Sequence, residues 1–184
     1  MKRWLPPILL AIAVIVVGAV VVSSGGNDEL PRVTYREGTP GDVMALGDSS
    51  FADVLAAFPA RVGCLRDVTV AHNWDLGTEA GFYEANYIEI EVPNTSAQIR
   101  QTYVHEFGHH LDFNCVDREL RDAFIAAMGH GPSTDWYSES WSWERRPAEQ
   151  FAEAVVAVVG GSPLHADMQL TSDAVRVVED WARR

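Results

Sequence analysis

The stretch His105-Glu106-Phe107-Gly108-His109 constrains this chain more than any other feature, because its spacing has a chemical meaning only on an α-helix. Residues four apart lie one turn apart on one helix face, so His105 and His109 can direct two imidazole rings at one point. That spacing suits a tetrahedral Zn²⁺ bound at about 2.0–2.1 Å per nitrogen. Glu106 is the candidate general base for a water molecule that such an ion activates. The alternative is an ordinary helix whose two histidines are core or surface residues.

The flanking residues predict where this helix begins and which of its faces is buried. Thr95 followed by Gln98 is a capping-box pattern, which marks a helix N-terminus. Apolar residues at spacings of three and four place one stripe toward a core, at Ile99, Tyr103, Phe107 and Leu111. Because a glycine inside a helix costs about 1 kcal/mol relative to alanine, we interpret Gly108 as room for something packed close behind the site.

A catalytic zinc site needs a third protein ligand, which must come from elsewhere in this chain. The extended pattern HExxHxxGxxH fails here, because Asp112 occupies the glycine position and Cys115 the position of the last histidine. Segment 147–154 offers Glu149 and Glu153, which lie four apart on one helix face. We predict that Glu149 binds zinc and that Glu153 accepts the N–H of a ligand histidine. The reverse assignment, and a solvent-facing pair of carboxylates, are the alternatives.

Asp112 lies three residues after His109 on the same helix. Its short side chain would have to reach back over a full turn to bind the same ion. We therefore expect Asp112 to support the metal site from behind the ligands rather than to bind the ion itself.

The two motifs together, residues 104–112 and 148–154, resemble the catalytic domain family of anthrax lethal factor. More broadly they are similar to the gluzincins, which combine HExxH with a downstream glutamate. The similarity covers residues 105–184, under half of the chain. It implies an α+β zincin fold, with a small, twisted, mostly antiparallel sheet, an active-site helix beneath it and further C-terminal helices. It also implies one zinc ion per chain, with His105, His109 and Glu149 as its ligands. The implied base is Glu106, and the implied supporting carboxylate is Glu153.

The chain departs from that family at the residue that stabilises the oxyanion. The family carries a tyrosine shortly before its third ligand, whereas Ser142 holds the corresponding position here. The nearest upstream tyrosine is Tyr137, which lies in a longer aromatic loop. Tyr137 is therefore the predicted oxyanion donor, with His130 as the alternative. Nothing in the resemblance transfers the substrate, and a peptide or protein substrate is our own hypothesis.

The N-terminus predicts a membrane anchor or an export signal. Lys2 and Arg3 precede an uncharged apolar run over residues 5–22, long enough to cross a hydrocarbon layer of about 30 Å. Positive charge before the run places the N-terminus inside the cell membrane and the remaining chain outside. We favour a retained single-pass anchor over a cleaved signal and secretion, because the run exceeds the roughly 7–15-residue core of signal peptides and no A-x-A site follows.

The rest of the chain divides into a linker and one domain. Residues 23–40 are rich in Ser, Gly, Asn and Pro, which predicts a flexible linker between the segment 1–22 and a folded domain over 41–184. Within that domain we predict strands at 68–72, 81–84 and 86–92. After the histidine helix we predict three further helices, at 117–128, 147–159 and 172–184. Residues 87–92 of the last strand are the candidate edge on which an extended substrate would add.

Charge and cysteine content restrict the partners. With 14 Lys and Arg against 26 Asp and Glu, the net charge of −12 argues against nucleic acid and anionic membrane surfaces. The two cysteines, Cys64 and Cys115, are predicted to form a disulfide in an exported domain, with zinc ligation by Cys115 as the alternative.

The sequence therefore predicts a membrane-anchored or exported zinc metallopeptidase. Two alternatives remain open at this point. One is a non-hydrolytic zinc-binding envelope protein, and the other is a zinc amidohydrolase that acts on cell-wall peptide.

Overall fold

The computed structural model describes residues 30–77, 80–138, 140–164 and 167–184. In this part of the chain five α-helices and four strands form an α+β fold. The strands are β1 (Val33–Tyr35), β2 (Val68–Asn73), β3 (Gly81–Glu84) and β4 (Tyr87–Glu91). The helices are α1 (Gly41–Ala57), α2 (Ser96–Cys115), α3 (Arg118–Ala127), α4 (Pro147–Val158) and α5 (Ser172–Arg183).

The predicted anchor or signal over residues 1–22 lies outside the described residues. Among the helices that are described, none combines the length and the apolar character needed to cross a membrane.

The four strands form one mixed sheet in the order β1-β2-β4-β3. β2 pairs in parallel with both β1 and β4, whereas β3 pairs antiparallel with β4. The expectation of a mostly antiparallel sheet is therefore wrong. The sequence displays the local β3–β4 hairpin, but parallel neighbours are joined by long connections that leave no pairing signal in a short stretch of sequence.

The position of β4 corrects a second expectation. β4 lies between β2 and β3, so the strand predicted as a free edge for substrate is interior. The edge strand on that side of the sheet is β3.

The folded part of the chain begins before residue 41. β1 lies within the segment predicted as a linker, where Val33 pairs with Val68 and Tyr35 pairs with Val70. The Tyr35 hydroxyl donates to Asp48 Oδ1 at 2.8 Å and so connects β1 to α1. A strand of three residues is too short to show the alternation that distinguishes a strand from a linker.

Helix α2 is the central element, packed between α1 and α4. Thr95 Oγ1 accepts a hydrogen bond from the backbone N–H of Gln98 at 3.2 Å, which confirms the predicted N-cap. The predicted apolar stripe is buried at all four positions, Ile99, Tyr103, Phe107 and Leu111. The opposite histidine-bearing side of α2 is thereby directed toward α4 and β3.

Gly108 marks the closest approach of α2 and α4. A Cβ placed on Gly108 would lie 2.8 Å from Ala152 Cα and 3.1 Å from Ala152 Cβ. Interiors are packed too tightly to absorb such an overlap with backbone, so any side chain here would separate the two helices. The interpretation of Gly108 as room for close packing is confirmed.

We expect Gly108→Ala to lower the free energy of unfolding. Overpacking a core typically costs about 1–3 kcal/mol, and the better helix propensity of alanine offsets at most about 1 kcal/mol of this. A net loss on the order of 1–2 kcal/mol should appear in urea denaturation. The matched control is Gly41→Ala at the start of α1, where an added Cβ meets nothing within 4 Å. Equal stability of the two variants would contradict the packing argument.

Candidate metal centre

Three side chains from α2 and α4 bring their donor atoms to one point. His105 Nε2 lies 3.2 Å from both Glu149 Oε2 and His109 Nε2, and His109 Nε2 lies 3.1 Å from the same carboxylate oxygen. Two ligands at about 2.0–2.1 Å from a tetrahedral ion would be about 3.3 Å apart. Among the described residues, these three are the group of His, Cys, Asp and Glu side chains that could hold one metal ion. The structure thus brings together the three predicted ligands.

The protonation of His105 also favours a cation at this point. His105 Nδ1 lies 3.1 Å from Glu153 Oε1, so we assign the proton of the neutral ring to Nδ1. Nε2 then presents a lone pair to the Glu149 carboxylate, and only a proton or a metal ion between them makes this contact favourable. Burial opposes a charge on His105, but hydrogen bonds to Glu149 and Glu153 outweigh it and raise the His105 pKa to about 10.

Glu149 shows the complementary effect. Burial disfavours its ionised form, but hydrogen bonds from His105 and His109 hold the pKa of this carboxyl well below its usual range. The metal-free site therefore holds its proton on imidazole and presents an ionised carboxylate.

Zinc binding should consequently displace about one proton at neutral pH. The proton on His105, whose pKa is about 10, competes with the metal ion. We therefore expect the apparent zinc affinity to fall about tenfold for each unit by which the pH is lowered from roughly 9 to 7. Calorimetry in buffers of different ionisation enthalpy counts the released protons, and an affinity that is independent of pH would contradict the assignment.

The same proton affects the metal-free fold. Since the folded pKa of His105 is raised, its contribution to stability is fully present below about pH 6.5 and is lost as the pH rises through the folded pKa.

Glu153 holds His105 in position from behind. Its side chain is buried, Oε1 accepts from His105 Nδ1, and the carboxylate oxygens accept from the backbone N–H of Leu164 at 3.2 and 3.1 Å. The geometry favours Glu149 as ligand and Glu153 as its support over the reverse assignment. The contribution of Leu164 was missed, because a backbone N–H in the loop after α4 has no sequence signal.

Glu106 lies at the wall of a cleft of about 1000 Å³ that is also lined by the three candidate metal ligands. Its side chain is buried, with only 3% of its surface exposed. A Cβ on Gly81, the first residue of β3, would lie 2.6 Å from Glu106 Oε1. The absence of a side chain at Gly81 therefore leaves the space that the Glu106 carboxylate occupies.

Aromatic rings line much of the remaining cleft. Trp143 stacks on His105 with ring centroids 5.6 Å apart, and Tyr83 stacks on His109 at 6.3 Å. Phe113, which is 56% exposed, also lines the cleft. Sequence reasoning missed Phe113, although it lies one turn beyond His109 on the same face of α2, which is a signal that could have found it.

Asp112 is buried, but its contacts differ from the expected ones. Oδ2 accepts hydrogen bonds from Trp136 Nε1 at 2.8 Å and from the Tyr137 hydroxyl at 3.0 Å, and Oδ1 accepts from Arg121 Nη2 at 3.0 Å. Asp112 thus fixes the aromatic loop at the rim of the cleft rather than a ligand histidine. Its partners come from α3 and a loop, so their approach depends on tertiary packing.

Tyr137 lies in the cleft, as its predicted role requires. Burial and the nearby charge of Asp112 raise its pKa to about 12, so the hydroxyl remains a hydrogen-bond donor at neutral pH. The alternative, His130, has its Nε2 2.9 Å from Gln150 Oε1 and is not among the described residues that line the cleft. Of the two, Tyr137 is the one in the cleft lining, but its hydroxyl proton is donated to Asp112 Oδ2, so its role as oxyanion donor stays a prediction.

The predicted Cys64–Cys115 disulfide is present. Because its sulfur is bonded to Cys64, Cys115 cannot serve as a zinc ligand, and that alternative is wrong.

No protein-family model, curated protein or solved structure matches this chain. The assignment of the site therefore depends on the geometry described above. At the level that this geometry supports, His105, His109 and Glu149 form a group that could hold a metal ion.

Proposed function

We propose that this protein is a zinc-dependent metallopeptidase of the zincin type. The observation that carries the proposal is the meeting of His105 Nε2, His109 Nε2 and Glu149 Oε2 in the cleft that Glu106 also lines. Two imidazoles and one carboxylate are a typical donor set of catalytic zinc, which keeps one further position open. A zinc ion bound there supplies a Lewis acid that polarises the substrate carbonyl and lowers the pKa of a water molecule to about 7.

The residues of the chain would divide the proton transfers between them. Glu106 would accept a proton from the attacking water as its oxygen bonds to the carbonyl carbon. The same carboxyl would then give that proton to the amine nitrogen as the C–N bond breaks. The Tyr137 hydroxyl, which donates to Asp112 Oδ2 at 3.0 Å in the structure, would have to exchange that hydrogen bond for one to the oxygen on which negative charge develops.

The edge strand β3 supplies a mode of substrate binding. β3 pairs with β4 on one side only, and all four of its residues line the cleft. An extended peptide would add to its open side as a further strand, which orients the peptide backbone along the metal centre. β3 thus takes the place of the strand that the sequence suggested for this role.

A purely structural zinc site is the main rival, and two observations weigh against it. Such a site would need a fourth protein ligand, for which Asp112 and Cys115 are candidates. Cys115 is in a disulfide, and Asp112 accepts hydrogen bonds from three other side chains.

The cell-membrane or secreted location remains a prediction from residues 1–22.

Metal analysis and peptide cleavage test the proposal together. We expect one zinc ion per chain and cleavage within a peptide library that also includes cell-wall peptides. Removal of the metal with 1,10-phenanthroline should abolish cleavage, and added Zn²⁺ should restore it. Cleavage that survives metal removal, or a zinc-loaded protein that cleaves nothing, would overturn the proposal. Cleavage of cell-wall peptides alone would favour the amidohydrolase.

A further inference from the structure

Arg146 is the one arginine or lysine among the described residues that line the cleft. It precedes α4 as its N-cap residue and stands three residues before the metal-binding Glu149. Its Nε donates to the backbone oxygen of Trp141 at 3.4 Å, which leaves the two Nη groups of the guanidinium for another partner. The Arg146 side chain makes no capping hydrogen bond at the start of α4. In the described part of the chain it also lies within 4.0 Å of no carboxylate oxygen.

The other arginines near the site have evident partners. Arg121 forms an ion pair with Asp112 at 3.0 Å, and Arg145 lies over the ring of Trp141 on the exposed surface. Arg146 differs from both, because it is partly buried in a cleft and unpaired with any described carboxylate.

The charge of the other cleft residues indicates which kind of ligand group Arg146 would attract. Besides Arg146 and the histidines, the titratable side chains along its wall include five carboxylates: Glu84, Glu106, Asp112, Glu144 and Glu149. These groups repel an anionic ligand, so a carboxylate entering the cleft would find favourable charge at Arg146 and at a bound metal ion. Guanidinium binds carboxylate through two parallel N–H···O bonds, a geometry that a point charge cannot reproduce.

We propose that Arg146 binds a carboxylate of the peptide substrate and makes the enzyme selective for peptides that carry this group near the scissile bond. The inference rests on the proposed peptidase function. The carboxylate has two possible sources, the C-terminus of the peptide or the side chain of an Asp or Glu residue. The first source would make the protein a remover of C-terminal residues, and the second a cleaver of acidic peptides.

Matched peptides separate these sources. A peptide that the wild type cleaves is prepared with a free C-terminal acid, with a C-terminal amide, and with each Glu or Asp replaced by Gln or Asn. We expect the carboxylate-bearing form to be preferred about 10–100-fold in kcat/KM, the effect of losing hydrogen bonds to a charged group. A drop for the amide identifies the C-terminus, and a drop for the Gln or Asn peptide identifies a side chain.

Two variants assign the preference to Arg146. Arg146→Gln should lose the preference, mainly through a higher KM for the carboxylate-bearing peptide. Arg146→Lys should recover part of it, because lysine keeps the charge without the fork. The control is Arg145→Gln, which changes the neighbouring exposed arginine and should leave the preference intact. Equal melting temperatures of the variants show that the fold is preserved.

Binding gives a readout that is independent of turnover. The zinc-loaded Glu106→Gln protein is titrated by calorimetry with the acid and amide peptides, with and without Arg146→Gln. Weaker binding of the acid when Arg146 is replaced supports the inference. If the wild type cleaves peptides but ignores their carboxylates, only this inference fails. If the wild type cleaves no peptide, the proposed function and this inference fail together.

Discussion

Glu106→Gln is expected to retain zinc and to lose turnover by about 10²–10⁴-fold, the usual contribution of a general acid–base. The substitution keeps the size and shape of the side chain, so the space beside Gly81 remains filled. Glutamine cannot accept the proton of the attacking water. The three donor atoms of the metal centre belong to other residues, so metal content should not change.

The experiment measures zinc content and kcat in parallel for the wild type and the variant. A matched control is Glu119→Gln, an exposed glutamate in the first turn of α3 that is remote from the described lining of the cleft. It should behave as the wild type in both measurements. If Glu106→Gln cleaves peptides as fast as the wild type, Glu106 is not the base. If it loses zinc, Glu106 supports the metal ion instead.

The candidate metal centre was predictable because most of its geometry is local. Histidines four residues apart on a helix must share a face, and the same holds for Glu149 and Glu153 on α4. The N-cap at Thr95 also depends on atoms only three residues apart. What the sequence could not provide was the distance between α2 and α4, which Gly108 and Ala152 set in the structure.

The features that were missed depend on contacts between distant parts of the chain. The parallel pairing of β2 with β1 and β4 joins segments that carry no mutual signal in the sequence. Asp112 was expected near the ligand histidines, because the helix places it close to His109. Trp136, Tyr137 and Arg121 surround it instead, and their approach is decided by how α3 and the following loop pack.

The double substitution Cys64→Ser with Cys115→Ser is expected to lower the free energy of unfolding by about 4 kcal/mol, the value that the chain-entropy model gives for a loop of about 50 residues. The two cysteines are separated by 51 positions. Without the bridge the unfolded chain gains conformations, whereas the folded chain keeps the packing of α2 against α1 and α4.

Chemical denaturation of the metal-free protein measures this loss apart from any stabilisation by zinc. The wild type treated with a reductant provides the matched control and should match the double variant. Because Cys115 is the last residue of α2, about 9 Å along the axis from His109 at 1.5 Å per residue, the bridge fixes the end of the helix and not the ligands themselves. The folded variant should therefore bind zinc with the same stoichiometry. A loss of stability below about 1 kcal/mol, far from the loop-closure value, would show that the unfolded chain already holds these two segments together.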